Sequence, residues 1–114
     1  MSNKKKFSSN FKLGILGGGQ LGKMLIQDCI RYDIHTKVMD SNKEAPCQKI
    51  CNEFKIGNLT NYEDVVSFCE DVDVVTVEIE NVNTDALEFL VGFGLDYYGI
   101  GRNLEDIFII EENS

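Results

Sequence analysis

A chain of 114 residues, 43% apolar and 26% charged, holds enough sequence for one globular domain and too little for a two-domain enzyme. Its formal charge of −8 excludes the basic stripe that nucleic-acid binding requires, and no uninterrupted apolar run reaches the length of a membrane span. The charge itself reads as solubility.

Residues 1–10, MSNKKKFSSN, are basic and polar and are expected to be a disordered lead-in. Lys12, the glycine cluster, Gln20 and Lys23 interrupt the apolar run after it, which argues against a signal peptide and for a cytoplasmic chain. FKLGILG then predicts a short buried strand. Gln20 to about Tyr32 carries Leu21, Met24, Leu25, Ile26, Cys29 and Ile30 at helical spacing. HTKVMD predicts a strand ending on Asp40, followed by the polar turn SNKE and a short helix over Ala45–Cys51. EFKIG predicts a third strand, and NYEDVVSFCED a helix capped by Asn61. VDVVTVEIE predicts a long fourth strand, and NTDALEFLVG a helix capped by Asn83 or Thr84. LDYY predicts one further strand, after which no strand–helix pair follows.

Strand–helix alternation with strands apolar on both faces implies an α/β domain. The expected architecture is a Rossmann-like, doubly wound parallel sheet over residues 11–98, with 99–114 a divergent tail. The four cysteines, Cys29, Cys47, Cys51 and Cys69, read as reduced and mostly buried thiols. The C-x-x-x-C spacing of Cys47 and Cys51 fits neither a redox pair nor a usual zinc site. His35, the single histidine, reads as an edge-of-sheet residue, and Tyr97 and Tyr98 as core packing.

ILGGGQLGKM places a glycine turn between the first strand and the first helix. Gly17, Gly22 and Lys23 match the P-loop spacing, but Met24 stands where that loop needs a hydroxyl for magnesium. Gly17, Gly19 and Gly22 match the dinucleotide fingerprint, with Asp40 ending the next strand 18 residues after Gly22, the place of a ribose-binding acid. Any tight strand-to-helix turn in such a fold wants these glycines. The helix start that they open into binds anions or polar ligands through its backbone N–H groups. Two features pull away from a dinucleotide. Gln20 stands in the first turn of the helix, and Glu78 and Glu80 end the fourth strand beside it, both expected on one side of that strand. Paired acids disfavour a pyrophosphate and suit a ligand that offers amines or hydroxyls.

GILGGGQLGKM, VMDSNKEAPC and DVVTVEIENVNTDALEFL, in that order over residues 11–92, resemble the N-terminal domain of 5-(carboxyamino)imidazole ribonucleotide synthase, an ATP-grasp ligase of purine biosynthesis. A sister transformylase shares the pattern but typically has Glu where this chain has Gln20; the run Glu78-Ile79-Glu80-Asn81 also favours the synthase. The resemblance implies carboxylation of aminoimidazole ribonucleotide: ATP phosphorylates bicarbonate, and the substrate amine attacks the carboxyphosphate. It further implies that this domain binds no dinucleotide and holds part of the ribonucleotide through Gly18, Gly19, Gln20, Leu21 and Glu78, with Glu80 a weaker contact. ATP and magnesium would belong to later domains of the full-length family, and this chain would hold no cofactor of its own.

From about Gly94 the family pattern is lost, and Pro46 is the single proline where the family continues into a Pro-rich segment. The expectation is therefore a truncated, frame-shifted or excised product without ligase activity by itself. The alternative is a small nucleotide-binding module using Gly17, Gly19, Gly22 and Asp40. A third reading is an interacting fragment that pairs through an open sheet edge. A homodimer is left open; nucleic acid and membrane are not expected partners.

Overall fold

Strands buried on both faces can be continuous apolar runs, and the chain forms its central strands where such runs occur. The structure, a computed structural model, describes residues 11–99. The expected lead-in and, Gly99 apart, the expected tail lie outside those residues. The strands are β1 (Lys12–Leu16), β2 (His35–Asp40), β3 (Glu53–Ile56), β4 (Val74–Val77) and β5 (Asp96–Tyr98). They pair in parallel in the order β3-β2-β1-β4-β5. This is the strand order of a doubly wound sheet, as expected.

Three helices connect them: α1 (Gln20–Arg31), α2 (Tyr62–Phe68) and α3 (Thr84–Gly92). Gly22, Leu25, Ile26 and Cys29 bury one stripe of α1, spaced as a helix packed on a sheet requires. Leu13, Ile15, Val38 and Val74 face that stripe. On the other side Leu16, Met39, Val75 and Val77 pack against Val65 and Phe68 of α2 and Ala86, Leu87 and Leu90 of α3. Asn61 and Asn83 cap α2 and α3, their side-chain oxygens each accepting an N–H three residues on at 2.8 Å.

Four expectations need correction. Residues 45–51 do not form a helix of that length; Pro46–Lys49 form one 3₁₀ turn, with the Cys47 N–H donating to the Gly18 carbonyl at 3.0 Å. β4 stops at Val77, short of Glu80. His35 is not on an edge strand: it opens β2, which is internal, and the ring pairs with Glu53. Tyr98 packs against the core but Tyr97 is exposed.

All four cysteines are free, and Cys29, Cys47 and Cys69 are buried. Burial pushes each of those three thiols up to about 12, so they stay protonated near neutrality.

At the amino-terminal edge of the sheet Lys12 bridges Glu53 at 2.9 Å and Asp71 at 3.0 Å, while Lys37 meets Asp71 at 2.8 Å. Lys37 and then Lys12 hold the Asp71 carboxyl at about 2, and Lys12 with His35 lowers that of Glu53. Depressed carboxyls in the folded state contribute stability above the unfolded-state value, and that contribution is lost as pH falls through the folded one. The urea midpoint should therefore drop between about pH 4 and pH 2, and Asp71→Asn should flatten that drop. Asp71 is 53% exposed, so solvent screening keeps the effect small. An unchanged slope in Asp71→Asn would remove the network from the acid response.

Candidate functional site

From β1 the chain turns through α1 to β2 on one side, and from β4 it passes through α3 to β5 on the other. The carboxyl ends of β1 and β4 therefore flank the point where the winding reverses, the place where such sheets open a crevice for ligands. The glycine turn leaves β1 there, and Glu78 leaves β4 there.

The four glycines of the turn have different reasons to be glycine. Gly17 sits at φ +106°, and a Cβ on it would lie 2.9 Å from Ile79 Cβ and 3.1 Å from the Glu78 backbone. The missing Cβ is what lets the end of β4 lie this close to the turn. A Cβ at Gly18 would meet Ala45 and Val38 at 3.2 Å each, and one at Gly22 would meet the Gly17 carbonyl at 2.9 Å. Gly19 differs: an added Cβ meets nothing within 4 Å among the described residues. Space in front of this backbone is what a closely approaching ligand would use.

The turn is held from behind. The Gly17 N–H donates to the Met39 carbonyl at 2.9 Å, and the Gly18 N–H to Asp40 Oδ2 at 2.7 Å. Asp40 Oδ1 accepts the Asn42 N–H at 2.9 Å. Both oxygens of the acid that the fingerprint would assign to a ribose thus already accept backbone N–H groups. The front is open by contrast. Gly19 is the N-cap of α1, no side chain caps this end, and the first turn holds no acidic residue. Its N–H groups and the helix dipole make that end a donor surface. Gln20 and Leu21 stand exposed beside it, Leu21 at 46%.

Glu78 follows β4 directly, next to the turn. Its backbone N–H still takes the Leu16 carbonyl at 2.8 Å, and the chain then bends at Ile79 and Glu80. Strand alternation puts Val74, Thr76 and Glu78 on the α1 face of the sheet, where Val74 packs. Glu78 and Lys23 both act electrostatically on the Cys47 thiol, which puts them in one neighbourhood with the turn. The bend removes the strand geometry that would have set Glu80 on the same side as Glu78. Glu80 is exposed and is not brought to the crevice by any contact among the described residues.

Thr76 escaped the sequence reading. Its hydroxyl donates to Glu78 Oε2 at 2.7 Å from a fully buried position. The signal was a lone hydroxyl in the run VVTV, two residues before the acid.

The ribonucleotide synthetase preATP-grasp domain model matches residues 11–93. The chain belongs to that family. Over 77 residues the chain is 44% identical to a phosphoribosylaminoimidazole carboxylase of Candida albicans, covering 66% of this chain and 13% of that protein. It is 35% identical over 110 residues to the N5-carboxyaminoimidazole ribonucleotide synthase of Staphylococcus epidermidis, 96% of this chain and 28% of that one. Among solved structures, the synthetase of Thermotoga maritima superposes with a TM-score of 0.72 at 26% identity, covering 76% of this chain and 24% of that chain. The Aspergillus clavatus synthase in complex with ADP and 5-aminoimidazole ribonucleotide gives 0.67 at 35% identity, over 79% of this chain and 24% of that one. The preATP-grasp chain thus spans 13–28% of these relatives, and the α/β fold is theirs.

A P-loop site for Mg-ATP would need a hydroxyl after Lys23 to hold the metal, and Met24 is there, 61% exposed. The described residues therefore do not form a P-loop for it.

Proposed function

We propose that this chain is the substrate-side domain of an ATP-dependent 5-(carboxyamino)imidazole ribonucleotide synthase and that its crevice holds aminoimidazole ribonucleotide. The observation that carries this reading is the pairing of an uncapped helix start, open at Gly19, with the Glu78 carboxylate at the winding reversal. One wall donates and the other accepts. A ribonucleotide with a free amine offers both kinds of partner: its hydroxyls and amine give hydrogens to Glu78, and its oxygens take them from the backbone N–H groups of Gln20 and Leu21. The Gln20 amide can do either. Holding the substrate in one orientation is the domain's share of the reaction. ATP and magnesium are bound elsewhere in the family, so the chain alone does not carboxylate.

Asp40 already braces the glycine turn, with each oxygen accepting a backbone N–H, and a ribose would have to share those oxygens, which favours the ribonucleotide over the nucleotide-binding alternative.

The test is a backbone chemical-shift titration of the full chain with aminoimidazole ribonucleotide and, separately, NADH. The ribonucleotide should shift Gly18–Gly22 and Glu78, and NADH should not. Gly19→Ala should cost less than about 1 kcal/mol of stability, since only a cap preference changes. It should nonetheless weaken the ribonucleotide about tenfold, equivalent to one lost contact. Shifts with NADH alone would replace this reading with the dinucleotide one. Phosphate release from ATP stimulated by the ribonucleotide would refute inactivity.

A further inference from the structure

Thr76 lies in the middle of the sheet, paired with Ile15 of β1 on one side and Tyr98 of β5 on the other, and is fully buried. Its strand neighbours are Val74, Val75 and Val77. Valine has nearly the same shape as threonine and would fill this position without taking a hydroxyl out of water, so packing alone gives no reason for the oxygen. A buried polar group where an apolar one would serve better is the kind of local departure that marks a functional site.

The hydroxyl has one partner in view, Glu78 Oε2 at 2.7 Å, a distance typical of a hydroxyl donating to an ionised carboxylate. The two residues are separated by one position and share a face of the strand, so the bond needs no distortion to form. Thr36, the other buried threonine, has its own explanation: it is tied to Asn52 ahead of β3, at the opposite edge of the sheet from the crevice.

We infer that Thr76 is a positioning residue, which anchors one oxygen of Glu78 and thereby holds its carboxylate toward the helix start of α1. Glu78 stands just past the last residue of β4, where the chain bends away, and a glutamate there has several free torsions. Fixing one oxygen from the sheet interior narrows the orientations that the carboxylate can present to a ligand. A rigid strand thus supports a contact residue that itself lies outside it. The inference rests on the reading of Glu78 as a ribonucleotide contact.

The experiment compares the full chain with Thr76→Val and Thr76→Ser in two measurements. Side-chain couplings of Glu78 by NMR, without ligand, should show a single χ1 rotamer in the parent and in Thr76→Ser, and rotamer averaging in Thr76→Val. Affinity for aminoimidazole ribonucleotide should fall about tenfold in Thr76→Val and recover in Thr76→Ser, with melting temperatures that do not follow the same order. A structural role would move stability and leave the rotamer alone. A single rotamer in Thr76→Val overturns the inference, as does unchanged affinity in that variant. A parent chain that binds no ribonucleotide overturns the substrate reading instead, and the rotamers still decide whether Thr76 fixes Glu78.

Discussion

Gly17→Ala is expected to lower stability by about 3 kcal/mol, or on the order of 15 °C in melting temperature for a domain of this size. Two costs add. At φ +106° an L-residue is strained whatever space surrounds it. The new methyl would also stand 2.9 Å from Ile79 Cβ and 3.1 Å from the Glu78 carbonyl, closer than carbon atoms approach. Relief would require β4 to move off the turn, which strains the Glu78 N–H bond to the Leu16 carbonyl at 2.8 Å. Both walls of the crevice meet at this glycine, so the substitution should also abolish ribonucleotide binding. Gly19→Ala provides the contrast: an ordinary φ of −81° and no atom within 4 Å predict a folded chain with impaired binding. A Gly17→Ala chain that melts within about 3 °C of the parent would mean that the turn relaxes freely and that β4 is not pinned there.

That difference between two adjacent-looking glycines shows what could be read from the sequence. The apolar runs of β1, β2 and β4 and the α1 stripe were legible because burial on two faces, or on one helical face, writes a local pattern. Gly17 was legible as a turn residue for the same reason. Where β4 ends was not. Glu78-Ile79-Glu80 continues a plausible alternation, and nothing local records that β1 stops at Leu16 and leaves the next rung without a partner. Residues 45–51 failed similarly: their composition suggests a helix, and nothing local records that only Pro46–Lys49 form a single 3₁₀ turn. The crevice was half legible. Gln20, Leu21 and Glu78 could be placed by element ends, whereas Thr76 and the task of Asp40 depend on which side chains meet across strands.

Asp40→Ala carries the second large effect, an expected loss of about 2–3 kcal/mol. The carboxylate closes β2 onto the glycine turn, with Oδ2 on the Gly18 N–H at 2.7 Å and Oδ1 on the Asn42 N–H at 2.9 Å. Bonds to an ionised acceptor are stronger than neutral ones, and removing the acceptor costs more than the bond itself when the donor cannot reach water. Gly18 is in that position: it is buried, with room for a Cβ denied by Val38 and Ala45 at 3.2 Å. Its N–H would be left unpaired. Asp40→Asn keeps one carbonyl for one of the two donors and turns an NH₂ toward the other, so its loss should fall between parent and alanine. Loss of the brace should also loosen Gly18 and Gly19 and weaken the ribonucleotide in step with stability. Denaturant midpoints of the three chains, beside titrations with the ribonucleotide and NADH, separate the two roles this acid could have. A ribose ligand would show unchanged midpoints and NADH binding lost in Asp40→Ala. The brace shows midpoints ordered Asp, Asn, Ala, with no NADH binding in any of them.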